Sequence, residues 1–226
     1  METMKSECAK CGVKVKICRS PEGQGSSNCP TIHLEELIEK AKEEYIKPDI
    51  FKFAHEASVQ EGECYINRDR KPFVPYPIKP RVQEICEFAQ KMGYKKLGVA
   101  FCGALQNEAF ILNQILEVQG FEVVSVICKA GRTPKEYIGI KEGEKVRVGE
   151  FESMCSPIAQ AMILNEAKTD FNIMLGLCVG HDSLFLKYSE AYCTVLVTKD
   201  RVLGHNPCAA LYTTGSYYAR LLKKGF

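Results

Sequence analysis

Twelve cysteines in 226 residues carry most of the chemistry this chain can do. Four of them, Cys8, Cys11, Cys18 and Cys29, fall in a C-x2-C-x6-C-x10-C pattern within residues 1–30. A C-x2-C pair lets two sulfurs reach one metal through a tight backbone turn, and two later thiols complete the set. Zinc, with Zn–S bonds of about 2.3 Å, and a [4Fe–4S] cubane both accept four thiolates. The missing second C-x2-C makes an ordinary zinc ribbon a poor match. Cys29-Pro30 shares the Cys-Pro ending of bacterial ferredoxin motifs, although the spacing before it differs. Zinc and iron–sulfur therefore both remain open at this site.

A second quartet, Cys102, Cys128, Cys155 and Cys178, stands in VAFCG, SVICK, SMCSP and GLCVG, at separations of 26, 27 and 23 positions. Three of these follow apolar β-type runs, and the fourth precedes the helix start Ser156-Pro157. If the runs are parallel strands, all four thiols emerge at the carboxyl edge of one sheet, where open α/β folds bind ligands. A thiolate cluster there predicts an iron–sulfur cofactor. Around it, His181, Glu108 and His205 are the acid–base candidates. The bland readings are a loop histidine and a carboxylate complementing a helix dipole. Asp182 reads as a helix cap, and Lys129 and Arg132 as solvated charges or anion contacts. Asp200, Arg201 and Cys208 reach the same edge, Cys208 as a spare ligand or reactive thiol. Cys86 and Cys193 read as core, and Cys64 is undecided.

The elements that must position these groups alternate. An amphipathic helix is expected over about Ile32–Tyr45, and a Pro-rich connection ends at Pro80. A second helix follows near Arg81–Met92, with Gly93 as its stop. Then come strand Lys96–Phe101, helix Asn107–Gln119 and strand Phe121–Ile127. Residues 132–151 are polar, with a small hairpin expected around Glu142-Gly143. A helix opens with Ser156 as cap and Pro157 at its first position and runs through about Lys168. Strand Phe171–Leu177, a short helix capped by Asp182 or Ser183, and strand Tyr192–Thr198 follow. Asn206-Pro207 repeats the cap-plus-proline signal, and a last helix is expected from Ser216. This alternation predicts an α/β three-layer sandwich with a mostly parallel, Rossmann-like sheet in the order 2-1-3-4. The domains read as a four-cysteine metal module at 1–30, a helical and Pro-rich connection at 31–80, and the α/β domain at 81–226. There is no Walker loop and no G-x-G-x-x-G.

The charge balance, 30 basic against 28 acidic side chains, leaves no electrostatic footprint for nucleic acid. No apolar run approaches the roughly 20 residues of a membrane span, and the polar N-terminus lacks a secretory signal. The expectation is a cytoplasmic protein, where cysteine patterns more often mean metal or redox chemistry than disulfides.

The strings FCGALQNEA, MCSPIAQAMILN, GLCVGHDSLFLKYS and KDRVLGHNPCAALY, with the N-terminal cysteine set, resemble an uncharacterised prokaryotic family, domain of unknown function 1847. The resemblance covers nearly the whole chain. It implies an intracellular metal-binding protein, frequent in anaerobes, with no assigned reaction, and it points to the same eight cysteines. The reading is an iron–sulfur protein with an N-terminal site that is structural or an electron relay. The strand-edge cluster would serve electron transfer or reductive small-molecule chemistry. It implies an electron-transfer partner and a small molecule, and no membrane or nucleic acid. The rivals are a non-catalytic zinc- or iron-binding protein or metallochaperone, and a sulfur-transfer enzyme with Cys178 or Cys208 as nucleophile.

Overall fold

A computed structural model describes residues 5–225; the first four residues of the expected 1–30 module lie outside them. The chain divides into two compact units, Met1–Glu63 and Cys64–Phe226.

In the first unit, Cys8–Lys10 make one 3-10 turn, with the Cys11 N–H donating to the Cys8 carbonyl at 3.2 Å. The Ile17 N–H donates to the Gln24 carbonyl at 3.0 Å, and the Gln24 N–H to the Val15 carbonyl at 2.9 Å. These two bonds pinch off the loop that carries Cys18. Three helices follow: α1 (Pro30–His33), α2 (Glu35–Tyr45) and α3 (Pro48–Glu63). The single helix expected over Ile32–Tyr45 is thus interrupted at Leu34, whose φ of −123° and ψ of 37° leave the helical region. Its apolar stripe forms no core, and Leu37 is 60% exposed. None of residues 5–59 is fully buried; Gln60 is the first.

The second unit opens with α4 (Arg81–Met92), stopped by Gly93 at φ 78°. Ile85, Cys86, Phe88 and Ala89 form its buried stripe, so Cys86 is core. Then come β1 (Lys96–Phe101), α5 (Gln106–Val118), β2 (Glu122–Ile127), α6 (Pro157–Glu166), β3 (Phe171–Leu175), α7 (His181–Tyr188), β4 (Tyr192–Val197) and α8 (Cys208–Tyr212). The four strands form one parallel sheet in the order β2-β1-β3-β4. Every residue of β3 and all but the first of β1 are buried. Burial on both faces explains why these strands read as unbroken apolar runs. Phe185, Leu97, Leu164 and Ile173 are fully enclosed there. Among the described residues, no helix is long and apolar enough to cross a membrane.

Several local expectations are corrected. Residues 135–150 form two short 3-10 turns, Lys135–Ile138 and Glu142–Glu144, and no hairpin. The cause is Lys145, whose ammonium is held by Glu136 and by Glu142 at 2.8 Å. That shared cation gathers the chain into a wrap. Ser156 holds the cap position of α6 with Pro157 as its first residue, as expected, but its side chain makes no cap hydrogen bond. Gly180 occupies the cap position of α7, and Asp182 lies inside its first turn, accepting the Ser183 N–H at 2.8 Å. After α8 the chain makes only a 3-10 turn, Ala219–Leu222, in place of a helix from Ser216. Cys64 is buried, whereas Cys193 is half-buried and donates to the Ala191 carbonyl at 3.3 Å.

Candidate functional site

The hydrogen-bond ladder of the sheet continues past the strand ends, and this delivers the thiols. The Cys102 N–H donates to the Leu175 carbonyl at 3.1 Å, and the Cys128 N–H to the Phe101 carbonyl at 2.9 Å. The Ser156 N–H donates to the Cys128 carbonyl at 2.7 Å. Cys102, Cys128 and the neighbour of Cys155 are thereby pinned to adjacent backbone. The long excursion from Lys129 to Met154 is closed at its base. There the Met154 N–H bonds to the Thr133 carbonyl at 2.8 Å and the Lys135 N–H to the Glu152 carbonyl at 3.0 Å.

Three thiols of the quartet meet. The Cys155 and Cys128 sulfurs stand 3.9 Å apart, and Cys128 lies close enough to Cys102 to shift its protonation. The Gly103 N–H donates to the Cys128 sulfur at 3.4 Å. The Cys128 hydrogen bond, helped by the Ala104 backbone and Lys199, holds Cys102 well below the ordinary thiol range. The same donor, with Lys129 and His181, does so for Cys155. Cys128 is pushed up, because two sulfurs that favour its protonated form flank it. One thiol has one proton, so Cys128 serves one neighbour at a time and the three titrate as a unit.

Cys178 stands apart from this contact set. Its sulfur accepts a hydrogen bond from the Arg201 guanidinium at 2.9 Å. Its carbonyl accepts the His181 and Asp182 N–H groups at 3.0 and 3.1 Å, which starts α7. Of the acid–base candidates, His181 is close enough to act on Cys155 electrostatically. Glu108 is exposed in the first turn of α5. The His205 Nδ1 accepts the Asp200 N–H at 3.1 Å, which puts the proton of the neutral ring on Nε2. That bond closes a turn in which Asp200 also accepts the Val202 and Leu203 N–H groups. Cys208 is exposed at the start of the five-residue α8.

Two residues of this neighbourhood are not apparent from cysteine spacing. Lys199 follows β4 and its charge favours the Cys102 thiolate. Gln160 is fully buried on α6 and donates to the Phe101 and Val126 carbonyls at 3.2 and 2.7 Å, tying β1 to β2 beside the thiols. A polar residue inside the buried stripe Gln160, Ala161, Leu164 is the signal that marks it. Gly176, at φ 68°, ends β3; a Cβ there would lie 1.9 Å from Leu105 Cδ1. Only glycine allows both that backbone conformation and that approach.

In the first unit, Cys8, Cys11, Cys18 and Cys29 line one cavity of about 230 Å³. Backbone hydrogen bonding from Val13, with smaller help from Lys16 and Ser26, lowers the Cys11 pKa. Gly25 leaves room for Cys29: a Cβ at Gly25 would lie 2.9 Å from Cys29 Cβ and 3.0 Å from its sulfur. Among the described residues, no group of three or more His, Cys, Asp or Glu side chains is gathered as a formed single-ion site. Two sulfurs on one zinc at tetrahedral angles stand about 3.8 Å apart, whereas a cubane takes its thiolates on different irons and spreads them wider. Four thiols around one cavity are donors of the kind a cluster takes, whereas the 3.9 Å between the Cys128 and Cys155 sulfurs is the closer, one-metal spacing.

A parallel α/β unit with thiols converging at its carboxyl edge, and a second unit built around four more, define a cysteine-rich α/β protein. The model of the family described as Protein of unknown function (DUF1847) matches residues 29–196, and the chain belongs to that family. That span holds the whole strand-edge quartet and Cys29, with Cys8, Cys11 and Cys18 before it. The chain is 44% identical over 191 residues to Uncharacterized protein MJ0455 of Methanocaldococcus jannaschii, covering 84% of this chain and 90% of that protein. No solved structure matches.

Proposed function

We propose that this chain is an iron–sulfur protein with two sites. In the first unit, Cys8, Cys11, Cys18 and Cys29 hold a cluster that orders the fold or relays electrons. At the strand edge, thiols of the second quartet hold a cluster for electron transfer or reductive chemistry on a small molecule.

The observation that carries the reading is the first unit. A segment with no fully buried residue from 5 to 59 gains too little from apolar burial to offset the entropy of ordering it. Coordination supplies the missing free energy. Cys8, Cys11, Cys18 and Cys29 all line one cavity of about 230 Å³, which sets four thiol donors around a single space, as a cubane requires.

Bound at the edge, a cluster supplies one-electron storage and transfer. The chain's own residues set its conditions. The Gly103 N–H, Lys129 and Lys199 direct positive charge at the thiols, which favours the more negative, reduced state. Phe101 and Leu105, both buried, exclude water, and His181 stands near Cys155 as a proton donor.

The sulfur-transfer reading has one observation in its favour, the Arg201 hydrogen bond to the Cys178 sulfur. Such a contact activates a nucleophilic thiol as well as it orients a bystander.

Anaerobic purification with iron, sulfide and zinc analysis separates these readings. A brown protein absorbing near ~400 nm is expected of a thiolate-bound cluster. A colourless zinc protein contradicts the proposal.

A further inference from the structure

We infer that Cys155 and Cys128 are a thiol redox pair, in which a peroxide oxidises the Cys155 sulfur and Cys128 resolves the product into a reversible disulfide. This goes beyond the cluster reading and does not depend on it, because it concerns the thiols free of metal.

The two sulfurs stand 3.9 Å apart, and a disulfide brings them to about 2.05 Å. Side-chain rotation covers that approach, because the backbones are already joined by the Ser156 N–H on the Cys128 carbonyl at 2.7 Å. Nor must the chain between them be gathered at the moment of reaction. The Met154 N–H on the Thr133 carbonyl and the Lys135 N–H on the Glu152 carbonyl close the base of the excursion, at 2.8 and 3.0 Å. The Lys129 ammonium reaches across the same base to the Ser153 carbonyl at 2.5 Å. Folding has thus met the loop-closure entropy before any oxidant arrives.

Exposure assigns the roles. Cys128 is buried and Cys155 is partly open to solvent, so a peroxide meets Cys155 first. The Cys155 thiolate attacks one peroxide oxygen, the O–O bond breaks, and hydroxide leaves behind a sulfenic acid. The Cys128 sulfur, held by the Gly103 N–H at 3.4 Å, then attacks the Cys155 sulfur. The S–S bond forms, the S–O bond breaks, and the departing oxygen takes a proton to leave as water. In sum two thiols and one hydrogen peroxide give one disulfide and two waters, with two electrons passing from sulfur to oxygen. A dithiol reverses the bond by exchange through a mixed disulfide. While it stands, the disulfide withdraws both sulfurs from coordination.

The test uses the full chain, reduced and stripped of metal by a chelator, then treated under anaerobic conditions with one equivalent of hydrogen peroxide. Free thiols are blocked with iodoacetamide, and the chain is digested without reductant. Cleavage after Lys and Glu places Cys102, Cys128 and Cys155 in different peptides. Mass spectrometry should find the Cys128 and Cys155 peptides linked in most chains, and dithiothreitol should return both thiols. In Cys128→Ser the Cys155 oxidation should stop at the sulfenic acid, so that labelling by dimedone rises several-fold over wild type. Wild type that keeps both thiols free, or that links either one mainly to another cysteine, overturns the pair, and this measurement needs no variant to fold. Equal dimedone labelling in wild type and a Cys128→Ser variant of native circular dichroism overturns the resolving role. Iron content tests the cluster reading separately, so the two can fail independently.

Discussion

The Ser156 N–H donates to the Cys128 carbonyl at 2.7 Å, and this bond carries Cys155 across a 27-residue separation to the edge of the sheet. The Cys155 sulfur then lies 3.9 Å from that of Cys128. The contact sets the protonation of both: Cys128 keeps its proton, and Cys155 gives its own up readily.

Metal-free protein should therefore show an unusual alkylation profile. At and above neutral pH, Cys155 is already thiolate, so its reaction with iodoacetamide varies little between pH 7 and 8. An ordinary thiol gains nearly tenfold over that unit. Cys128→Ala removes the donor and restores the steep rise at Cys155. Peptide mass spectrometry after timed alkylation reads the rate, and a steep profile in wild type would refute the coupling.

In the first unit, Cys11→Ser should loosen residues 5–63 while the α/β unit keeps its fold. The reason is the lack of fully buried side chains from 5 to 59, which leaves coordination as the main source of order. Hydrogen exchange before and after chelation measures this. Protection of the first unit that survives metal removal contradicts it.

Glu152 anchors the base of the 129–154 excursion through Lys135 at 2.8 Å. Lys135, with the Arg147 and Val146 N–H groups, holds the Glu152 carboxyl down at about 2, against a reference value of 4.5. A carboxylate depressed on folding adds stability that is complete above its unfolded pKa and is lost as pH falls through its folded one. The loop base should thus weaken between about pH 4.5 and 2, modestly because the pair is partly solvated. Glu152→Gln should flatten that part of the stability–pH curve, measured by thermal unfolding at fixed ionic strength. An unchanged slope would remove the role assigned to this carboxylate.

Gly176→Ala should destabilise the α/β unit by roughly 2–4 kcal/mol, from left-handed backbone strain plus overlap with a buried leucine. The new Cβ would meet Leu105 Cδ1 at 1.9 Å. Urea unfolding checks it, and a change below about 0.5 kcal/mol, the range of a neutral surface substitution, would show that Leu105 moves freely.

Strand positions and their order were legible in the sequence, because β1 and β3 must be apolar along their whole length to be covered on both faces. Gly93 was equally readable as the end of α4. The convergence of Cys102 and Cys128 followed from a parallel sheet alone. What escaped depends on single long-range bonds. The Ser156–Cys128 bond draws Cys155 to the sheet edge, and Lys145 pulls two glutamates into a wrap where a hairpin was expected. Nothing in the spacing of Cys178 marks its pairing with Arg201. Lys199, a strand-end lysine like any other in the sequence, matters because β4 ends beside β3 at the same edge.

The central claim is that two separate thiol sets each hold an iron–sulfur cluster. Iron and sulfide per chain, measured on anaerobically prepared wild type and on two variants, test it most directly. One variant replaces Cys8, Cys11, Cys18 and Cys29 with serine, and the other replaces Cys102, Cys128 and Cys155. Wild type should contain about eight irons and eight sulfides, and each variant about four of each, since a cubane holds four. Zinc in place of iron, or full iron retained in either variant, would contradict the account.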